Sequence, residues 1–231
     1  MASRSTTGPL IEAIESFRLV RPDGDVVTVS RESNAELFRA AIGGHGLFGP
    51  MVDVTLRLVP DRLVEKSEIV FMNVEPLLAS YIDRVNRDRK SVPLCYGFVP
   101  APKFAAFLKQ AGAIFTKYQD DLPVMANHFR FVPASSESLM AFAPEDSICL
   151  IPFYLARKDD KAWQGKLERA TGELLDACLE CGGRHYLTFD IIASQDQFRR
   201  AYPQLSEFFA LKRKYDPDEM FSSVFYQKYA R

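Results

Sequence analysis

The sequence predicts an α+β fold in which helices cover an antiparallel sheet. Several short runs alternate apolar with polar residues, which is the period of a β-strand. Between these runs lie segments with apolar residues at helical spacing, the clearest of them at residues 159–183. The predicted strands outnumber the helices that separate them, which is typical of a sheet with helices on one side.

The composition fits one large domain or two small ones. The chain has 231 residues, 47% hydrophobic and 12% aromatic, which is enough for a sizeable core and excludes disorder of the whole chain. Its 29 basic and 30 acidic residues nearly cancel, which argues against a nucleic-acid partner. Neither a membrane-spanning run nor a signal stretch is recognisable, so we expect a soluble, cytoplasmic protein. Four cysteines are too few to predict a disulfide framework.

A hairpin, a helix and a strand are predicted first. Apolar residues alternate on both sides of a Pro-Asp-Gly turn within residues 17–30, which predicts two paired strands. Ser33 and Glu36 predict a capping box at the start of the helix that follows, and a glycine pair ends that helix. The alternation from Val52 to Leu58 predicts a strand with one buried face, which Pro60 ends.

The middle and the tail continue the alternation of elements. Strands are predicted at 67–74, 92–99, 125–133, 146–156 and 184–192, and helices at 75–88, 102–115, 159–181 and 195–215. Asp159 or Asp160 caps the long helix, and Gly182 ends it.

Two separated segments carry a resemblance to a known family. Residues 17–60 run strand, Pro-Asp-Gly turn, strand, helix with Glu-Leu-Phe, a G-G-x-G-x-x-G turn and a long strand, and the tail at 202–223 contains Tyr-Pro, a basic cluster and Asp-Pro. Both segments resemble the vanillyl-alcohol oxidase and p-cresol methylhydroxylase superfamily of FAD-linked oxidases. Within that superfamily, they most resemble the branch of the aldonolactone and alditol oxidases with the decaprenylphosphoryl-ribose oxidases.

The resemblance implies three parts. Residues 1–62 correspond to the second half of a PCMH-type FAD-binding domain, 63–184 to a substrate domain, and 185–231 to a segment that returns towards the FAD domain. Family members place their pyrophosphate loop before the hairpin. We therefore expect this C-terminal portion alone to bind FAD weakly or not at all. We expect the isolated chain to self-associate or to need a separate chain that carries the N-terminal FAD half.

The glycine-rich turn is the cofactor candidate. In the family it lies against the flavin nucleotide, where bare backbone can approach polar atoms. By position, the resemblance implies FAD contacts at Gly44, Gly46, Gly49 and Met51. Pro50 departs from the family pattern and removes one backbone donor. The alternative is that these glycines only build a corner between helix and strand.

His128 and Arg130 are the first catalytic candidates. Alditol oxidases carry an acidic residue and an arginine, two positions apart, on a strand that faces the flavin, and this pair matches that place. Alternation puts both on one face of the strand, opposite Phe129. Arg130 would hold a substrate hydroxyl or stabilise negative charge, and His128 would act as a base. The alternative is an ordinary exposed strand face.

Tyr186 is the third catalytic candidate. It matches a family aromatic residue and would contact the substrate or the flavin. Phe189 stands where the decaprenylphosphoryl-ribose branch has a lysine, so that branch's specific chemistry is not expected. The implied substrate is a polyol or a sugar lactone, oxidised by hydride transfer to the flavin. His185 alternates to the opposite face, which favours a structural role.

The Cys178-x-x-Cys181 pair is predicted to be structural. It lies at the end of a helix, where no positive dipole lowers a thiolate pKa, and a zinc site would need a second pair nearby. Buried cysteines on a helix face are expected, with no metal site. Two functions compete with a flavin-dependent oxidase subunit: a non-catalytic, partner-binding remnant, and a small-molecule binding module without flavin.

Overall fold

The computed structural model describes residues 8–58, 60, 61, 63, 97–154, 160–186 and 192–230. Over these residues the fold is α+β with two antiparallel sheets, as the sequence predicts. The strand predicted at 67–74 and the helix predicted at 75–88 lie outside the described residues. The division into parts at residues 62 and 184 stays a prediction.

The first sheet has three strands in the order β2-β1-β3. The strands are β1 (Ile14–Val20), β2 (Val26–Ser30) and β3 (Met51–Leu56). The predicted hairpin between β1 and β2 is confirmed, with Val20 opposite Val26. Gly24 adopts a φ of 89° in the connecting turn, a conformation that glycine allows without strain.

The helix between β2 and β3, α1 (Ala35–Ala41), begins differently from the prediction. Its N-cap is Asn34, whose side chain makes no capping bond, so the capping box of Ser33 and Glu36 is wrong. The Glu36 carboxylate instead accepts hydrogen bonds from Lys214 (2.5 Å) and from the Tyr215 hydroxyl (3.1 Å). Residues far along the chain therefore bind the carboxylate that the predicted capping box would have used.

Strand β3 is exposed on both faces, so the prediction of one buried face is wrong. All six of its residues are exposed, including Val54 at 42% and Leu56 at 43%. Val54 lies opposite Phe17 of β1, which is buried. Among the described residues, the core beneath this sheet takes side chains from β1 and β2 and none from β3. The described elements that cover this sheet therefore stop short of the outer strand.

Three helices from the end of the chain pack into the core of the first sheet. They are α4 (Gln195–Ala201), α5 (Leu205–Tyr215) and α6 (Val224–Tyr229). The sequence predicted one helix over 195–215. The structure divides it after Ala201, and Pro203 lies in the break, where it cannot donate a helical hydrogen bond. Helix α6 was not predicted.

The second sheet has four strands in the order β5-β6-β4-β7, and all its pairs are antiparallel. The strands are β4 (Gly97–Pro100), β5 (Val124–Val132), β6 (Ser147–Tyr154) and β7 (Arg184–His185). Two helices, α2 (Phe104–Tyr118) and α3 (Lys161–Glu180), cover one face. Asp160 caps α3 by accepting the Trp163 N–H at 3.0 Å, which confirms one of the two predicted caps.

Candidate functional site

The second sheet has one face without a helix among the described residues, and the candidate catalytic side chains lie on it. Phe129 packs beneath α2, with its ring 5.8 Å from that of Phe104. Strand alternation therefore directs His128 and Arg130 to the other face. We call this the open face.

Register places neighbours beside the two candidates. Arg130 lies opposite Cys149 and His128 opposite Ile151 on β6, and the apolar cluster of the open face contains both of these partners. Arg130 is half-buried and His128 is exposed. The His128 ring lies 4.8 Å from the ring of Phe153, so an aromatic surface supports one side of the imidazole. Both candidates are accessible to a small molecule on this face.

Tyr186 belongs to an aromatic cluster on the open face. The rings of Phe98 and Phe142 lie 4.4 Å apart, and the Tyr186 ring meets them edge-on at 5.5 and 5.3 Å. Such edge-to-face contacts hold a ring in a defined orientation. The Tyr186 side chain is half-buried, which leaves part of it for a ligand.

The three catalytic candidates share one face but lie towards opposite edges of the sheet. Arg130 is on the outer strand β5, whereas Tyr186 follows the outer strand β7. Three strand spacings separate these edges, about 14 Å at the usual distance between strands. A ligand in contact with both candidates has to lie across the sheet.

Arg184 is a residue of this face that sequence reasoning missed. It lies opposite Phe98, which places it on the same side as Tyr186. Its guanidinium donates to the Ala141 carbonyl at 2.6 Å and lies 5.5 Å from the Tyr202 ring centre. Burial lowers the pKa of this arginine. The signal that was available is its spacing, two positions before Tyr186 in the same predicted strand.

Two of the glycines in the turn are required by the chain's own backbone. A Cβ on Gly49, whose φ is 120°, would lie 2.0 Å from the Val20 carbonyl oxygen. One on Gly44 would lie 2.3 Å from the Ala40 carbonyl oxygen. Both glycines are buried. The corner between α1 and β3 therefore explains them without a ligand.

Gly46 and Met51 offer the accessible part of the same turn. A Cβ on Gly46 would meet no atom within 4 Å, and Met51 is 38% exposed. The Pro50 carbonyl between them accepts the Val20 N–H at 3.0 Å. Gly46 and Met51 are therefore the accessible ones among the four predicted FAD contacts. FAD contacts at all four predicted positions stay predictions.

His45, inside the glycine turn, is a second residue that sequence reasoning missed. It adopts a φ of 54°, and its ring stacks on Phe225 of α6 at 4.3 Å and an angle of 18°. Burial lowers the pKa of this imidazole, which favours its neutral form. Its place in the motif was visible in the sequence, but the contact with the last helix was not.

The cysteine pair lies away from the open face. Cys178 and Cys181 are free and buried, and both belong to the core under the helix-covered face. Burial raises the pKa of Cys178 to about 12, so its thiol stays protonated at neutral pH. The prediction of buried cysteines on a helix face is confirmed. Cys149 is disulfide-bonded, a bond that the small number of cysteines did not predict.

The basic run in the tail is largely engaged within the protein. Lys212 and Asp216 form an ion pair, and both side chains are completely buried. Asp216 also accepts the N–H groups of Met220 (2.9 Å) and Phe221 (2.8 Å). The Lys-Arg-Lys and Asp-Pro features of the tail therefore have a structural explanation.

Three known oxidoreductases are similar in sequence to parts of this chain. Cytokinin dehydrogenase 9 of Oryza sativa subsp. japonica is 42% identical over 67 residues, which are 29% of this chain and 13% of that protein. Cytokinin dehydrogenase 4 of the same species is 26% identical over 127 residues, 53% of this chain and 22% of that protein. The FAD-linked oxidoreductase fmqD of Aspergillus fumigatus is 43% identical over 51 residues, 22% of this chain and 10% of that protein.

These similarities support an oxidoreductase of the FAD-linked oxidase superfamily. The matched segments span between 10% and 22% of the length of these relatives. No protein-family model matches the chain. Across the described residues, no helix has both the length and the apolar character needed to cross a membrane.

Proposed function

We propose that the chain is part of an FAD-dependent oxidoreductase that oxidises an alcohol, a sugar alcohol or a sugar lactone. The observation that carries the proposal is the open face, where His128, Arg130 and Tyr186 share one side of a sheet whose other side is packed with helices. The similarity to three oxidoreductases supports the reaction class.

Each candidate has a role that its surroundings allow. The Arg130 guanidinium holds a substrate hydroxyl and stabilises the negative charge that develops on its oxygen. His128, exposed beside Phe153, accepts the hydroxyl proton. Tyr186 bounds the substrate with its ring, which Phe98 and Phe142 hold in place. Bound FAD supplies the hydride acceptor of the reaction.

Cofactor binding is proposed at the glycine turn. Gly46 and Met51 present accessible backbone and side chain, while Gly44 and Gly49 let the turn close against its own strand and helix. Glycine substitution separates these roles. Gly46→Ala should weaken FAD binding, and its only expected cost in stability is the backbone strain of an alanine at positive φ. Gly49→Ala should destabilise the fold.

The test is anaerobic reduction of the FAD-loaded complex of this chain with a co-expressed upstream FAD-domain fragment, measured as the loss of the oxidised flavin's visible absorbance. Polyols and sugar lactones form one substrate set, and a cytokinin forms the other because two relatives are cytokinin dehydrogenases. Reduction by the first set supports the proposal. Reduction by the cytokinin alone would keep the flavin chemistry and overturn the substrate class.

A non-catalytic, partner-binding role is the second candidate function, and the exposure of β3 favours it. Four apolar side chains of this strand are between 38% and 54% exposed: Met51, Val52, Val54 and Leu56. A protein that takes up no flavin, even when co-expressed with an upstream FAD-domain fragment, and that still binds that fragment would establish this role.

A further inference from the structure

The outer edge of β3 is open within the part of the chain that the structure describes. β3 pairs with β1 on one side and is the last strand of its sheet on the other. Its six residues are all exposed. An exposed edge strand is a template for another strand, unless charges or bulges block it. The pairing of β3 with β1 has two register shifts: one puts an extra residue of β3 at Val52, before Val54, and the other puts its extra residue, Glu15, on β1.

The hydrogen-bonding phase of this edge follows from one bond. The Arg57 N–H donates to the Ala13 carbonyl at 2.7 Å, so it points towards β1. Peptide groups alternate in direction along a strand. The N–H and C=O groups of Val54 and Leu56 therefore point outward, where an added antiparallel strand would find them.

We infer that two copies of this chain pair through β3, antiparallel, about a two-fold axis at Thr55. In this register Val54 of one copy lies opposite Leu56 of the other, and their outward peptide groups exchange hydrogen bonds. Asp53 of one copy then lies opposite Arg57 of the other. The two-fold axis makes every such pair occur twice.

Charge selects this register among those that the hydrogen-bonding phase allows. An axis at Asp53 would bring two Asp53 carboxylates together, and an axis at Val54 would put Asp53 opposite Thr55. An axis at Leu56 would put Arg57 opposite Thr55. Only the axis at Thr55 gives two pairs of opposite charge, and like charges directly opposite each other destabilise a sheet.

The neighbouring strand extends this complementarity. Within one copy Arg18 is paired with Asp53, and the Arg57 guanidinium lies 3.7 Å from the Glu15 carboxylate. Across the interface, four charged side chains lie in a row: Glu15 and Arg57 of one copy, followed by Asp53 and Arg18 of the other. The signs alternate along all four positions. These side chains are exposed, so the row fixes the register more than it adds affinity.

The other face of β3 supplies the apolar contact. Val54 and Leu56 are directed to the side of the sheet that carries Phe17, and they are 42% and 43% exposed. Pairing brings Val54 and Leu56 of one copy next to Leu56 and Val54 of the other, across the two-fold axis. Two paired strands of this length bury less surface area than a stable complex does. We therefore expect a weak dimer with a Kd on the order of 100 µM.

Sedimentation equilibrium of the whole 231-residue chain, from ~10 µM to ~1 mM, tests the inference. The mass should rise from 26.1 kDa towards twice that value. Arg57→Glu and Asp53→Lys should each raise the Kd by about 10-fold, because each puts two pairs of like charge opposite one another. The control Lys109→Glu, on the exposed side of α2, reverses a charge in the same direction as Arg57→Glu and should leave the Kd unchanged.

An equimolar mixture of Arg57→Glu and Asp53→Lys is the decisive sample. In the mixed dimer the native Asp53 meets the native Arg57, and the introduced lysine meets the introduced glutamate, so association should return to the wild-type level. A wild type that stays monomeric throughout overturns the inference. So does a mixture as weak as its components, provided that circular dichroism shows both variants folded. Equal Kd values for wild type and Arg57→Glu would exclude this register.

Discussion

The Tyr202 hydroxyl donates a hydrogen bond to the backbone carbonyl of His185, at 2.5 Å. Tyr202 is completely buried at the end of α4, in the core of the first sheet, whereas His185 belongs to β7 of the second. One side chain thus joins the C-terminal helices to the strand that leads into Tyr186. The His185 ring packs on Tyr202 and Phe198, which agrees with the structural role predicted for it.

Tyr202→Phe should lower the free energy of unfolding by about 1–3 kcal/mol, because it leaves a partly buried carbonyl without its donor. Chemical denaturation measures the change. Tyr215→Phe is the matched control, since it removes a hydroxyl whose partner, Glu36, is solvent-exposed. Equal losses for the two variants would show that the bond from Tyr202 to His185 stabilises the protein no more than the exposed bond from Tyr215 to Glu36.

Lys212→Met should destabilise the protein by about 3–5 kcal/mol, because it leaves the buried Asp216 carboxylate without its cation. The double variant Lys212→Met, Asp216→Asn should be more stable than the single one, since no buried charge remains. Thermal unfolding of both variants and of wild type checks the order. A single variant as stable as the double would contradict it.

Asp216 also predicts a pH dependence. Burial alone would raise the pKa of this carboxyl, but hydrogen bonds from Lys212 and from the Phe221 and Met220 N–H groups lower it below its ordinary value. A lowered folded-state pKa gives stability that is present above the unfolded-state value of about 4 and is lost as the pH falls through the folded one. Wild type should lose this contribution in acid, and Asp216→Asn should not. Unfolding at pH 7 and at successively lower pH compares their slopes.

Arg130→Ala should lower the rate constant of flavin reduction by ~100-fold or more in the FAD-loaded complex with the upstream FAD-domain fragment, because it removes a positioned cation. Arg199→Ala, at an exposed position of α4, is the control and should leave the rate unchanged. Cys178→Ser with Cys181→Ser should also leave this step nearly unchanged, since both lie under the helix-covered face. Stopped-flow reduction with equal rates for wild type and Arg130→Ala would refute the role.

Cys178 should react with an aromatic disulfide reagent at pH 8 at least ~100-fold more slowly than a free thiol, because burial excludes the reagent and raises the thiol pKa to about 12. Unfolding in denaturant should restore an ordinary rate. The release of the coloured thiolate measures both. Rapid reaction of two thiols in the folded protein would instead show that the end of α3 opens.

The local signals in the sequence predicted much of the fold. Alternation located β5 and β6, and helical spacing with Asp160 located α3 and its cap. Contacts between distant segments were not predictable in this way. Glu36 forms no capping box and instead accepts a hydrogen bond from Lys214, 178 positions away. His45 stacks on Phe225, near the other end of the chain.

The candidate site shows the same limit. Strand alternation was enough to put His128 and Arg130 on one face. Arg184 required the pairing of β7 with β4 and the position of Tyr202, neither of which a single sequence reveals. The exposure of β3 was also hidden, because alternation shows which side chains share a face but not whether another element covers it.

The composition of the first core has a consequence for biosynthesis. Among the described residues, its buried side chains come from residues 11–48 and 193–229, with Leu139, Met140 and Leu175 between them. A ribosome makes the first group long before the second, so residues 193–229 cannot cover the apolar side of the hairpin until the segment between the two groups has been made. Such long-range closure slows folding and exposes the nascent chain to aggregation. We expect chaperone dependence during synthesis, concentrated on residues 11–48.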